Sequence, residues 1–595
     1  MKLRKLAISN FRGIKSCCWH IPSDFACLVG PGDSTKTTLL DAMGLALSRS
    51  YNPQFTDADF YKCDTSTPIA IDVVIAALPD QLIQEGTFGK DRSGIRPDGT
   101  LEHDPVDGAE ECLIVRLKVD DTLEPTWQIV RPGEDDGRAI SATQRQRLGF
   151  FRVGEYIDLH LRWARASALA GMTENRSDAT SVILDAQRKA RQAVFDAPPT
   201  ELQQTADHVK QRSRELGSAQ YGRLRAGLDP TSTSGAYSLV LHEEDVPLTN
   251  HGLGTRRLTS LSIQEEGVEG GSIVAIDEIE HGLEPHRLAH ALRYLKQRSA
   301  TNRLQVFLTT HSPVAVSALV ATDLAVVASH EGKTTVQPVP GELDDIQGTV
   351  RSGPAALLSK TIIVGEGATE VGLMRQLFAT WDKGRTDLHT VTSVTAGLAV
   401  VNGGGGDMPP RRAAVYAQLG YPVAVVMDND DQTVDSAVAH AQAVGATVVR
   451  WTRGCALEDE IVMNLPDEGL GEFLAAAAED RDDDSVRQAV EARLGDASLV
   501  GLDPVAWIGD GADRDAVRSA IASAAKGDNL SGTDSDSSRA WFKRESGGEQ
   551  LAELVVKHWK TLKDTSLGAG LLTLQQAVYV DSAPAPRPAT PGGDG

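Results

Sequence analysis

Residues 26–46 read ACLVG-PGDSTKTT-LLDAMGLA. An apolar strand runs into a Gly-rich turn, and the turn opens a helix with apolar Leu39, Leu40, Met43 and Leu45. This segment constrains the fold most. A short buried strand delivering a loop to a helix N-terminus belongs to an α/β layer rather than to a bundle or a sandwich. Its turn follows the phosphate-loop pattern G-x-x-x-x-G-K-[ST], except that Thr35 replaces the last glycine. In such a loop successive backbone N–H groups form a concave anion site and the helix dipole adds to it. Gly30, Gly32, Ser34, Lys36, Thr37 and Thr38 are the candidate nucleotide-binding residues. Lys36 would reach the β- and γ-phosphates of ATP, and the Thr37 hydroxyl would face Mg2+. The bland alternative is an ordinary strand–turn–helix with an incidental lysine.

Three further segments weigh against that alternative. SIVAIDEIEHGLEP (272–285) is an apolar strand delivering Asp277 and Glu278. An aspartate at a strand end can hold the Mg2+ shell, and the next glutamate can polarise the attacking water. LTTHSP (308–313) is a strand ending in His311, a candidate γ-phosphate sensor, although a lone histidine is more often structural. GLGTRRLTSLS (252–262) opens a helix that could face a nucleotide across a dimer, or could be a simple cap.

The order of these four segments resembles the ATPase head of the ABC superfamily, in the branch with RecF, SMC proteins and the OLD (overcoming lysogenization defect) nucleases. The opening LRKLAISNFRGIKS, with its N-F-R-G turn, is similar to that branch too. The resemblance covers about 1–355 and implies a head in two parts, 1–154 and 226–355. Lys36 and Asp277 lie 277 − 36 = 241 residues apart, which requires an insertion. The helical pattern of 155–225, with basic Arg188, Lys189, Arg191, Lys210, Arg212 and Arg214, fits one and is expected to dimerise. The signature lacks LSGGQ, so slow or absent ATP hydrolysis is expected.

A second unit begins near 358. KTIIVGEG, LHTVTSV, PVAVVMDND and ATVVRW are short strands alternating with helical stretches, the pattern of a parallel α/β sheet. TIIVGEGATEV (361–371) delivers Glu366 into a Gly-flanked turn, with Glu370 four residues on. VAVVMDNDD (423–431) ends in Asp428 and Asp430, whose spacing of two puts both carboxylates on one side of an extended segment. Alone, D-N-D-D reads as a solvated turn. With the E-G-x-x-E partner upstream it makes a hard-oxygen site for Mg2+ or Mn2+, suited to phosphodiester chemistry.

These two motifs together resemble the Toprim domain of topoisomerases, primases and OLD nucleases, over about 358–465. The resemblance implies that ALEDEI (456–461) supplies a third acidic element, with Glu458 as its ligand and Asp459 or Glu460 left open. It also implies a late lysine that assists the transition state. Lys543, in RAWFKRESGGEQLA (539–552) within a C-terminal extension 466–580, resembles it; the bland reading is a helix-start lysine.

A head followed by a Toprim domain is the arrangement of the OLD family, which includes the nuclease subunit of Gabija anti-phage systems. The resemblance implies a metal-dependent DNA endonuclease or nickase, regulated by ATP binding. Glu366, Lys543 and Glu278 would be catalytic, and Glu366, Glu370, Asp428, Asp430 and Glu458 would hold the metal. A homodimer or higher homo-oligomer is expected, and a helicase partner stays open. The alternative is a RecF-like nucleotide-switched DNA-binding clamp without nuclease activity. A topoisomerase or primase ranks below both, since no strand-passage tyrosine or zinc-ribbon cysteines stand out.

Composition narrows the class further. The chain has 595 residues, enough for two to four domains. Its net charge of −23 excludes a protein that coats nucleic acid by bulk charge, though not one with a local basic groove. Six cysteines without a CxxC pair are no disulfide framework, and no apolar run is long enough for a signal peptide or a spanning helix. A soluble cytoplasmic protein with no membrane partner is expected. Residues 466–540 read as solvated acidic surface, and the Pro/Gly-rich tail 581–595 reads as disordered.

Overall fold

In a computed structural model of the chain, the described residues are 1–47, 53–153, 241–266, 272–494, 503–528 and 540–579, with scattered positions in 158–204. Within those ranges 79, 85, 244, 302–303, 344, 388–389 and 510–512 are excepted. The expected helical insertion 155–225 falls almost wholly outside the described residues, and the tail 581–595 does so entirely. The chain folds as two compact units, Met1–Phe25 with Thr37–Thr309, and Ala26–Lys36 with Thr310–Gly595. Among the described residues no helix is long and apolar enough to cross a membrane.

The first unit opens with β1 (Lys2–Phe11) and β2 (Ile14–His20), an antiparallel hairpin. The chain then passes through β3 (Phe25–Val29) and the loop to α1 (Lys36–Ala46). β4 (Ile69–Ala76) pairs antiparallel with β1, and β5 (Glu110–Val119) with β4 and with β6 (Pro125–Val130). These strands alternate or bury their faces as the sequence pattern predicts. A parallel set follows: β7 (Phe150–Val153), then, after α2 (Leu253–Glu266), β8 (Ser272–Ile276) and β9 (Leu304–Thr309), in the order β7-β8-β9. Trp19 of β2 meets Phe307 of β9 edge-on, with ring centroids 5.6 Å apart.

In the second unit β3, wholly buried, pairs parallel with β10 (Leu324–His330), and β10 pairs antiparallel with β11 (Lys333–Pro338). A separate parallel sheet follows. Its strands are β12 (Thr361–Gly365), β13 (Leu398–Asn402), β14 (Val423–Met427) and β15 (Thr447–Arg450), in the order β13-β12-β14-β15. Helices α3 (Ala368–Asp387), α4 (Met408–Gln418) and α5 (Asp435–Ala443) make the crossovers, as parallel strands require. α6 (Leu457–Asn464), α7 (Arg514–Lys526), α8 (Glu545–Lys557) and α9 (Ser566–Val578) follow, with further helices at Asp467–Asp480, Asp483–Leu494 and Pro504–Gly509. The sheets and their surrounding helices bear out the mixed α/β class.

Two local expectations are corrected. The second strand of the parallel sheet is LAVVN, not LHTVTSV. Thr392 and Thr395 hydrogen-bond each other's backbone N–H groups, and Ser393 donates to Asp382, so residues 392–397 close into turns. The strand starts after Gly397, whose φ is 67°. Residues 466–540 are not mostly solvated surface either. Leu470, Phe473, Leu474, Trp507 and Ile521 are buried in one cluster with Ile363, Phe378 and Trp541. Their acids occupy the outer faces of amphipathic helices, and overall polarity masked the apolar stripe.

α3 and α8 lie unusually close. A Cβ on Gly372 would stand 1.9 Å from the Glu545 carbonyl oxygen, and one on Gly548 2.0 Å from that of Thr369. The Thr369 hydroxyl also donates to the Phe542 carbonyl at 2.6 Å. Glycine at these two positions lets the late segment seat Lys543 beside Glu458.

Candidate functional site

The nucleotide-loop residues keep the geometry that the missing glycine would serve. Gly30 has φ 143°, and a Cβ there would meet the Val327 carbonyl oxygen at 2.4 Å. Thr35 itself adopts φ 68°, a left-handed conformation that costs a β-branched residue about 1–2 kcal/mol. Its hydroxyl offsets part of that by bonding the Ser34 carbonyl at 2.6 Å and the Thr334 hydroxyl at 3.0 Å. The Lys36 ammonium is buried and folds back onto the loop, donating to Gly30 O at 2.9 Å, Pro31 O at 2.7 Å and Ser34 Oγ at 3.1 Å. Gly32 is exposed at the loop tip and Thr38 half-buried on α1.

In the first unit the Thr37 hydroxyl donates to Asp277 Oδ1 at 3.1 Å across 240 residues of sequence. Thr309 Oγ1 donates to the same oxygen at 2.6 Å and accepts from Glu278 N at 2.8 Å. The strand-end aspartate and the loop threonine are thus brought together as the motif spacing anticipates. Glu278 follows at φ 45°. His311, exposed, belongs with the second unit. Sequence reasoning missed two cations. Arg152 of β7 pairs with Asp41 of α1 and lies 3.7 Å from Asp277 Oδ2. Arg257 of α2 is buried and donates to the carbonyls of Asp277 and His281. The arginine of FFRV, ending the strand beside SIVAID, was the available signal for the first.

The carboxylates gather at the C-terminal edge of the parallel sheet. Glu366 follows β12, and its Oε2 accepts from the backbone N–H of Asp428, which follows β14, at 2.7 Å. Asp428 Oδ1 accepts from Leu457 N at the start of α6 at 2.9 Å. Glu370, in the first turn of α3, accepts from Gly367 N at 2.7 Å and is 6% exposed. Glu458, in the first turn of α6, is 2% exposed, and its Oε1 lies 3.3 Å from Lys543 Nζ. Asp430 stands exposed on the same loop as Asp428.

The structure separates the three acids of ALEDEI. Asp459 caps Ala456 N at 2.8 Å and pairs with Lys526 at 3.0 Å. Glu460 is committed to Thr452 N, Asn464 and Ser566. Glu458 alone of the three faces Lys543.

Crowding of buried negative charge shows in the titration of this group. Burial, then repulsion from Glu366 and its other acidic neighbours, pushes Asp428 up to about 9. Burial, then Glu458, pushes Glu370 up to about 7. Glu366 is raised as well, again chiefly by burial. For Lys543 burial works downward, but Glu458 and Asp428 outweigh it and the ammonium's pKa is raised. Among the described residues no three His, Cys, Asp or Glu side chains stand as a ready-made metal cage. The carboxylate oxygens of the cluster bond backbone N–H groups and Lys543. The donor set is all carboxylate and under-neutralised, with Glu370 and Glu458 buried, Glu366 and Asp428 half-buried and Asp430 exposed, which fits a hard divalent ion.

A groove of about 300 Å3 lies at the opposite edge of the same sheet. Pro31, Gly32 and Ser34 of the nucleotide loop line it with Ser329, Lys360 and Tyr421. Lys360 directly precedes β12 and Tyr421 nearly precedes β14, the two strands that end in Glu366 and Asp428.

Comparison with known proteins matches two stretches of the chain. A family described as "AAA domain, putative AbiEii toxin, Type IV TA system" matches residues 133–317. One described as "Overcoming lysogenization defect protein-like, TOPRIM domain" matches 357–430. No curated protein matches. Among solved structures, an SMC head domain from Thermotoga maritima aligns at 15% identity over 57% of this chain and 100% of that one, with a TM-score of 0.28. An Smc head domain with an extended coiled coil, bound to the C-terminal domain of ScpA and derived from Pyrococcus furiosus, aligns at 12% identity over 56% and 95%, with a TM-score of 0.31. The chain joins an AAA-type ATPase domain to an OLD-like TOPRIM domain. That pairing is the one through which the sequence resembles the OLD nucleases, and it supports a nucleotide-dependent nuclease.

Proposed function

We propose that the protein is a divalent-metal-dependent DNA endonuclease or nickase whose cutting responds to ATP bound at its head, acting in anti-phage defence. One observation carries the nuclease reading. Glu366, Glu370, Asp428 and Glu458, from three separate segments, converge beside Lys543, a lysine 85 residues beyond the last of them. Glu366, Asp428 and Asp430, with Glu370 and Glu458, would hold Mg2+ or Mn2+. When bound, the cation supplies Lewis-acid polarisation of the phosphodiester and a lowered pKa for water. Lys543, half-exposed and charged, would draw a phosphate oxygen to the acidic edge and stabilise charge that develops on it.

Lys36 and the loop backbone would hold the phosphates. In the first unit, Thr37 and Asp277 would hold Mg2+ and Glu278 would position water. Regulation is supported by the groove. A nucleotide that moves residues 31–34 pushes on the entry ends of β12 and β14, about five residues or ~16 Å from Glu366 and Asp428. A homodimer, with α2 of one copy facing the loop of another, and a helicase partner belong to the same reading.

The test is plasmid cleavage by the purified protein with Mg2+ or Mn2+, with and without ATP. Metal-dependent nicking altered by ATP is expected. DNA binding without cleavage under every metal condition refutes the nuclease and leaves the RecF-like clamp.

A further inference from the structure

Arg450 ends β15, and in the parallel register it stands opposite Met427, the residue before Asp428. Its guanidinium serves three acceptors at once. Nε donates to the Asp428 carbonyl at 3.3 Å, Nη2 to the Asp431 carbonyl at 3.0 Å, and Nη1 to the Asp435 carboxylate at 2.6 Å. The side chain is 15% exposed. One planar fork therefore spans the whole turn from the first aspartate to the first residue of α5.

Between those clamps Asn429 is bound to the adjoining loop by both backbone groups and its side chain. Its N–H donates to Cys455 O at 2.9 Å, its carbonyl accepts from Gly454 N at 2.8 Å, and its amide donates to Trp451 O at 2.9 Å. A turn carrying Asp428 and Asp430 toward Glu366, Glu370 and Glu458 is pushed outward by like charge. Backbone contacts from behind are what can hold it. A lysine offers a point charge on a flexible stem and cannot reach all three acceptors.

Resting on the nuclease reading, we infer that Arg450 is a positioning residue of the carboxylate site: it touches no substrate but fixes the Asp428–Asp430 turn, and so sets metal affinity and cleavage. Partners of this kind behind metal ligands typically change affinity or activity about 10–100-fold when removed.

The experiment compares wild type, Arg450→Gln, Arg450→Lys and Asp435→Asn. Mn2+ binding is read from the loss of the free-ion electron paramagnetic resonance signal without DNA, and plasmid nicking at several Mn2+ concentrations is measured beside it. Arg450→Gln is expected to weaken Mn2+ binding about tenfold and slow nicking by a similar factor or more. Excess Mn2+ should restore part of the rate, and Arg450→Lys should fall between. Wild-type Mn2+ affinity and nicking in Arg450→Gln overturn the proposal. If that variant does not fold, Asp435→Asn decides, since its side chain is exposed and its contact is with Arg450: severalfold weaker Mn2+ binding supports the role, and unchanged binding refutes it. Wild type that binds Mn2+ but cuts no DNA refutes the nuclease reading alone, and the titration still decides on Arg450. Wild type that binds no Mn2+ overturns both.

Discussion

Replacing Glu370 by Gln tests whether the carboxylate cluster is built for a cation. The change keeps the shape and leaves an oxygen for Gly367 N, but removes a charge held 6% exposed among other acids. The pKa rises from 4.5 to about 7 on folding, so the folded state binds the proton more tightly. The stability contributed by that proton is complete below the unfolded value and is lost as pH climbs through the folded one. At ~1.36 kcal/mol per unit, ionised Glu370 costs the metal-free protein about 1 kcal/mol at about pH 5.5 and about 3 kcal/mol at about pH 8. Wild type in EDTA should therefore lose roughly 2 kcal/mol more than Glu370→Gln over that interval, a few degrees in melting temperature. Other groups titrate in both proteins and largely cancel. Removing this charge also relieves Asp428, which Glu370 helps push up, and that adds to the difference. Mg2+ should then raise the melting temperature of wild type more than that of the variant, and more at high pH, because ligands must be deprotonated to bind. Melting curves in EDTA and in Mg2+ at the two pH values measure all of this. Parallel pH dependence of the two proteins in EDTA would refute the reasoning.

Three more outcomes are expected. Asp428→Ala should cut plasmid nicking by orders of magnitude while raising metal-free stability by an amount that grows from about pH 4 to about pH 9, since it removes a half-buried carboxylate pushed up to about 9; a gel assay and a melting curve read the two effects. Thr35→Gly should leave stability within ~1 kcal/mol, because relief of the left-handed φ offsets the lost hydroxyl bonds, yet should tighten binding of a fluorescent ATP analogue; weaker binding contradicts the account of the loop. Gly372→Ala forces a Cβ against the Glu545 carbonyl, so it should lower stability by about 1–3 kcal/mol and slow nicking by displacing Lys543; normal melting and nicking together would show that α3 and α8 need not approach so closely.

The local chemistry of both sites is legible in the sequence because each lies at a strand end. Thr361–Gly365 and Val423–Met427 are short apolar runs between helical stretches, the pattern of buried parallel strands, which places the acids after them at one edge. The strand–loop–helix of 26–46 similarly dictates where Lys36 and Thr37 stand. Tertiary structure decides what no spacing encodes. Glu458, Asp459 and Glu460 are adjacent and chemically alike, and only packing against Lys543, Lys526 and Ser566 assigns them different partners. Arg450 reads as an ordinary strand-end cation until β15 lies beside β14 and its fork meets the turn carrying Asp428. Lys543 reaches the acids only because Gly372 and Gly548 let two distant helices touch. Backbone hydrogen bonding and hydrophobic periodicity act over a few residues and leave a mark on the sequence. Which charge meets which across 85 or more residues depends on side-chain packing, where the same residue types fit many arrangements and the whole fold selects one.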